Sequence, residues 1–503
     1  SPARLAAAWA VALSLAAGNA AAKAAQPRAR AGAARPAGAG ASASSAAAAG
    51  AALVPESASA ALLVDGAMGT AGLREFLAAA AAFAPVLEPE AVGADLARSA
   101  SLDLLSEAAG SAAGVAPTGA RALVVAGGAV GLSAPVKDPA TARRALHAWL
   151  TQAGTVRPTR RSQPKGSLAA GDGAQLRAGM IASVAGRQRW LAASGRDATL
   201  LVGALAHVGA RKRGTPQLTR APAVAAALAA ARGPAVLWLR GSGPLLGAVL
   251  SLEASARGLA ARGLALPSGS EVLLSGAAPE QPCHKRALLC ARASLGPSAA
   301  PLLSRAAREL VARAMAPNER APLDRLLQRA IGSASGPAAL TVDALDTAAL
   351  AGSHEGLEAI SFLARASAPD LTLDLPSSAP PALVAIPGGV ELQGAWPLCL
   401  RAQAGTALFG APCPAGASSR LSPGSDPELL LSAQVDTAAL AAALGKLTPL
   451  DGLRSQAGAG AWAAHLLWGS LFAHSGPITL EGRPAPGRPG AIALELRWPL
   501  RGR

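Results

Sequence analysis

Residues 121–150 read RALVVAGGAVGLSAPVKDPATARRALHAWL, and the reading of this stretch decides the fold. Two apolar runs, residues 123–126 and 130–136, flank Gly127-Gly128. A Gly-Gly pair supplies the positive φ angles of a two-residue hairpin turn, so the runs are predicted to pair as strands. In the second run Val130, Leu132, Ala134 and Val136 fall on one side, and Gly131, Ser133 and Lys137 on the other. Asp138 then offers a carboxylate oxygen to cap a helix, and Pro139 stands in the first turn, where a missing N–H loses nothing. Ala142, Leu146, Trp149 and Leu150 form the apolar stripe of that helix.

The same order of hairpin, acid and helix returns downstream. Residues 179–184 and 188–193 are apolar runs joined at Ala185-Gly186, and Asp197 precedes a helical stripe of Leu201, Leu205 and Val208. Residues 235–239 read as a strand holding Trp238. In residues 246–257, Ala248, Leu250, Leu252 and Ala254 alternate with Val249, Ser251, Glu253 and Ser255, which predicts a strand with one dry and one wet side, as in antiparallel sheets. Upstream, a strand at 61–65 leads to a helix carrying Leu73, Phe76, Leu77 and Phe83. The word DTAAL occurs twice, at 346–350 and 436–440, each time after a hydrophobic run, where Asp-Thr makes a good helix cap.

The expected fold class is therefore α+β, with antiparallel sheets packed against amphipathic helices in two related halves of repeated hairpin-helix units. Residues 1–22 read as a secretory signal peptide: a basic residue, a short apolar stretch and small residues around Ala20 and Ala22. Retention of that segment as an anchor is the alternative. Residues 23–50 form an Ala/Gly/Pro-rich tether with too few large apolar side chains to order itself. Residues 51–275 make an N-terminal α+β half, 276–335 a cysteine loop and helical connector, and 336–503 a C-terminal α+β half. The mature chain is expected to have no transmembrane span and to be periplasmic or extracellular.

The 503 residues carry 46 basic and 30 acidic side chains, a formal charge of +16, and no tyrosine. A surplus of this size suits a polyanion, an anionic membrane surface or a wall polymer. The densest basic groups are Arg157, Arg160, Arg161 and Lys165 in one loop and Arg211, Lys212 and Arg213 in another. Neither is interleaved with aromatics nor set on a DNA-reading helix, so nucleic acid is not the expected partner and a solvated basic surface is the simpler reading. The expected partners are a lipid, a wall polymer or another envelope protein.

Four cysteines, Cys283, Cys290, Cys399 and Cys413, stand at local spacings, which in an exported chain suggests disulfides 283–290 and 399–413. A zinc site using them with His284 is the rival reading, but the spacing is not CxxC. His354, Glu355 and Glu358 could lie on one helical turn as metal ligands, and a solvated helix start explains them equally well. No GxSxG, HExxH or Walker word is present, and Gly241-Ser242-Gly243 is followed by a strand pattern, not by the helix a pyrophosphate loop requires. No catalytic residue, cofactor or metal is assigned. Trp462, His465, Trp468 and Phe472 share a helical stripe that is either core packing or a hydrophobic ligand groove.

One resemblance adds to this reading. The words VPESASAALLVDG at 54–66, APVKDPATARRAL at 134–146 and GPITLEG at 476–482 occur in order with the two hairpins and a closing alternating strand. Together they resemble a family of exported bacterial proteins that carries a domain of unknown function with repeated hairpin and helix units. The likeness covers residues 53–260 and 337–500 and implies location and architecture only. The function expected is a non-enzymatic envelope protein that binds an apolar or anionic partner or serves as a structural module. Two alternatives remain: a cell-wall or peptide hydrolase assembled in three dimensions around His207, His354 or His465, and an adhesion or assembly module.

Overall fold

The computed structural model describes residues 50–66, 68–159, 166–184, 186–209, 217–241, 244–269, 272–280, 287–301, 303–304, 308, 320–346, 359–373, 381–393, 397–413, 421–450 and 456–501. The signal segment and all but the last residue of the tether lie outside these. The described residues divide into two compact units, 50–241 with 247–266, and 267–501 with 244–246. The fold is α+β, and every strand pairing with a defined register is antiparallel.

The first unit contains β1 (Ala60–Asp65), β2 (Ala120–Ala126), β3 (Ala129–Pro135), β4 (Arg157–Pro158), β5 (Leu168–Ala170), β6 (Arg177–Val184), β7 (Arg187–Gly195), β8 (Ala235–Arg240), β9 (Leu245–Ser255) and β10 (Gly258–Pro267). Its sheet order is β4-β5-β6-β7-β3-β2-β1-β8-β9-β10. Its main helices are α1 (Met68–Ala81), α2 (Pro89–Ala100), α3 (Glu107–Ala112), α4 (Pro139–Thr151), α5 (Ala198–Gly209) and α6 (Pro222–Ala230).

The hairpin and its helix form as the sequence predicts. Gly127 takes φ +55° in the β2–β3 turn, and Asp138 caps α4 by accepting from the amides of Ala140 (2.9 Å) and Thr141 (3.3 Å). Asp197 has a further task, because its Oδ2 accepts from the Gly128 amide at 2.8 Å and ties the start of α5 to the turn. Both faces of this sheet are covered. Leu146 of α4 lies over Gly179 of β6, and Leu201 of α5 over Gly131 of β3. Cross-strand pairing puts Gly131 with Ala193 and Ala178, and Gly179 with Ala192, so the two helices sit on opposite faces.

The expectation for β9 is corrected by its burial. Its wet side is not wet throughout: Val249 is 2% exposed and Ser251 9%. Ser251 is satisfied locally, its Oγ accepting from the Arg232 amide.

The second unit contains β11 (Leu289–Leu295), β12 (Gly336–Leu345), β13 (Ile360–Ser367), β14 (Leu383–Ile386), β15 (Gly389–Leu392), β16 (Leu398–Gln403), β17 (Thr406–Ala411), β18 (Leu431–Val435), β19 (Ile478–Pro484) and β20 (Ile492–Pro499). The order is β14-β15-β16-β17-β13-β12-β11-β18-β19-β20. Its main helices are α7 (Arg320–Ser333), α8 (Thr437–Leu444) and α9 (Gln456–Ala473). The segment expected to be a cysteine loop and helical connector supplies α7 and also β11, which pairs on both edges, with β12 and β18. A short apolar strand next to a cysteine loop carries no periodicity that marks it as central. Asp436 caps α8 through the Ala439 amide; the other copy of that word lies, after Asp346, outside the described residues.

Cys399 and Cys413 are bonded, with Cα atoms 5.3 Å apart. Cys290 is also disulfide-bonded, and its expected partner, Cys283, lies outside the described residues. Among the described residues, no helix is long and apolar enough to cross a membrane.

Candidate functional site

Part of the aromatic stripe lies in a packed cluster. Phe472 is 7% exposed and belongs to a cluster with Leu444, Leu447 and Ala359, against which Trp462, Trp468 and Trp498 also pack. His465 stacks on Trp462 with ring centroids 5.3 Å apart, and its buried Nδ1 has no hydrogen-bond partner. Trp462, His465 and Trp468 are half-buried, and Leu466, between them in sequence, is exposed.

Of the basic surface, Arg157 is exposed on β4; Arg160, Arg161, Lys165, Arg211, Lys212 and Arg213 lie outside the described residues, as do His284, His354, Glu355 and Glu358. Among the described residues no group of three or more His, Cys, Asp or Glu could hold a metal. Neither His207 nor His465 is hydrogen-bonded to a serine or carboxylate there.

The site that does stand out lies in the first unit, and it is built around Arg189. The third residue of β7, Arg189 pairs with Pro135 of β3 and points to the face that α5 covers. It is 7% exposed. Its Nε donates to Ser133 Oγ (2.9 Å) and its Nη2 to the Ala120 carbonyl (2.7 Å). Its Nη1 has no bond among the described residues. Arg189 lines a cleft of about 650 Å³, with Leu53, Val136, Pro139, Val184 and Val208 among its apolar walls. Arg187 and Lys137, both exposed, stand at the same cleft.

No carboxylate is among the described residues lining it. Burial pushes the Arg189 guanidinium down to about 10, and the charge that adds to this is the like charge of Arg187. A cation so placed lacks the partner that a buried charge ordinarily has.

A second buried arginine shapes the wall. Arg121 is 1% exposed and faces the opposite side of the sheet from Arg189, two residues before Leu123, which pairs with Leu132. Its Nη2 donates to the Ala116 carbonyl at 3.0 Å, while Nε and Nη1 have no partner. Ala116, Thr118 and Gly119 line the cleft, and Gly119 takes φ +97° to turn the chain into β2. Burial lowers the pKa of Arg121, against the opposing charges of Glu107 and Asp65.

No protein-family model, curated protein or solved structure matches this chain. The composition hid the site: in a chain with 46 basic residues one more arginine draws no attention. The available signal was Arg189 standing in the apolar run 188–193, on the side of the strand shared with Leu191 and Ala193.

Proposed function

We propose that this chain is an exported binding module of the bacterial envelope whose first unit takes an anionic partner in the cleft over Arg189. The observation that carries the reading is a buried arginine with no acid beside it, opening on apolar walls with two more cations at the same opening. Such a site is incomplete until a negative group arrives. Volume supports the same reading, since about 650 Å³ falls in the range of roughly 300–1,000 Å³ typical of small-molecule pockets. Export is supported by the signal-like N-terminal stretch and by the bond between Cys399 and Cys413, which suits an oxidising compartment.

We also read the two units as copies of one ten-stranded module. What supports this is that adding ten to each strand label of the first order yields the second. The helices differ: α4 and α5 follow hairpins in the first unit, whereas α8 and α9 follow β18 in the second.

The test is direct. The full chain, purified from an oxidising compartment, is denatured and its released small molecules are identified by mass spectrometry, with thermal shifts measured against anionic organic acids. A co-purified acid, or a rise in melting temperature that scales with acid concentration, is expected. An empty preparation with no shift from any acid would end the proposal.

A further inference from the structure

The three cations of the cleft do not occupy equivalent places. Arg189 is buried in the sheet face, whereas Lys137 and Arg187 are exposed. A guanidinium has five N–H donors. Two of those of Arg189 are committed, to Ser133 and Ala120, which fixes its orientation and leaves Nη1 for a ligand. A charge-assisted bond made there is shielded from water and salt, so it should govern how long a ligand stays. Charges at an exposed rim act differently: they draw an anion in from solution and are screened by salt within about 10 Å at 0.1 M ionic strength.

The walls set the rest of the ligand. The side chains of Leu53, Val136, Val184 and Val208 offer it no hydrogen bond, Thr118 and Gln188 are the uncharged polar side chains of the lining, and no acid stands among the described residues to meet a cationic group. A polyanion needs cations in a row along an open surface; here one cation is deep and two are outside.

We propose that the ligand is an aliphatic chain ending in a single anionic acid group, and that it enters acid-first. Arg189 is its anchor, Lys137 and Arg187 guide the acid in, and the chain lies along the apolar walls. Arg121 is a positioning residue, holding from the other face the loop that forms one wall. This deepens the binding function proposed above and rests on it.

The experiment uses the full chain and four probes: octanoate, octyl phosphate, octanol and inorganic phosphate. Calorimetry should show the two amphiphilic acids binding at least tenfold tighter than octanol, which lacks the charge, and than phosphate, which lacks the chain. The stronger of the two acids identifies the head group, carboxylate or phosphate. Arg189→Gln should weaken both acids tenfold or more, chiefly through faster dissociation, at low and high salt alike. Lys137→Gln with Arg187→Gln should slow association, flatten its salt dependence and leave the dissociation rate within about twofold of the parent. Should Arg189→Gln fold poorly, Ser133→Ala keeps the charge but releases its aim, and a three- to tenfold loss is expected.

Unchanged binding in Arg189→Gln, or in Ser133→Ala where that variant replaces it, would overturn the acid-first anchor while leaving the binding function intact. Octanol binding as tightly as octanoate would do the same. Binding of none of the four probes by the parent chain would instead strike at the binding function itself.

Discussion

A guanidinium buried without an acid is held in place by its neighbours. Arg189 keeps its position because Ser133 and the Ala120 carbonyl take two of its donors, at 2.9 and 2.7 Å. Burial and the nearby Arg187 lower its pKa to about 10, well below the ordinary arginine value. The sign follows from linkage. Between those two values the unfolded chain holds the proton and the folded chain releases it, so this group adds stability as pH rises through that window and withdraws it as pH falls through about 10. Binding runs the other way, because only the protonated form attracts an anion. Octanoate affinity, measured by calorimetry in a Lys137→Gln background, is therefore expected to fall as pH rises through about 10. An affinity flat to pH 11 would place the acid elsewhere.

The elements divide by how local their causes are. The β2–β3 hairpin and α4 were legible because Gly127, Asp138 and Pro139 act within a few residues of themselves. Asp138→Ala should lower the midpoint of chemical unfolding, because α4 then loses its cap. The buried side of β9 was not legible, since an alternating pattern does not show that Val249 pairs with the buried Trp238 or that Ser251 takes the Arg232 amide. Nor was the central place of β11, whose partners are β12 and β18. The cleft is the extreme case: its walls come from residues near 53, 118, 137, 187 and 208. Gly247 shows the same dependence at one atom. A Cβ there would stand 2.2 Å from the Trp238 ring and 2.4 Å from the Leu239 carbonyl oxygen, and Trp238 is 1% exposed. Gly247→Ala should destabilise the protein by about 1–3 kcal/mol, as overpacking does, read as a lowered denaturation midpoint.

At the scale of the whole molecule, every described residue that lines the cleft belongs to the first unit. A fragment of residues 50–266 is therefore expected to bind octanoate within about threefold of the full chain. A folded fragment that does not bind would move the ligand to a different part of the protein.

The place of β1 has one more consequence. The first strand among the described residues is a middle strand of its sheet, with Ala60 beside Val125 on one edge and Leu239 on the other. During synthesis one edge is closed early by β2, and the opposite edge stays bare until β8 emerges. The interval recurs with β11, where Cys290 meets Thr341 first and Gln434 much later. Unpaired edges invite aggregation, and contacts so distant along the chain form slowly. Making this protein thus opens two separate windows in which a holding chaperone has a bare strand to guard.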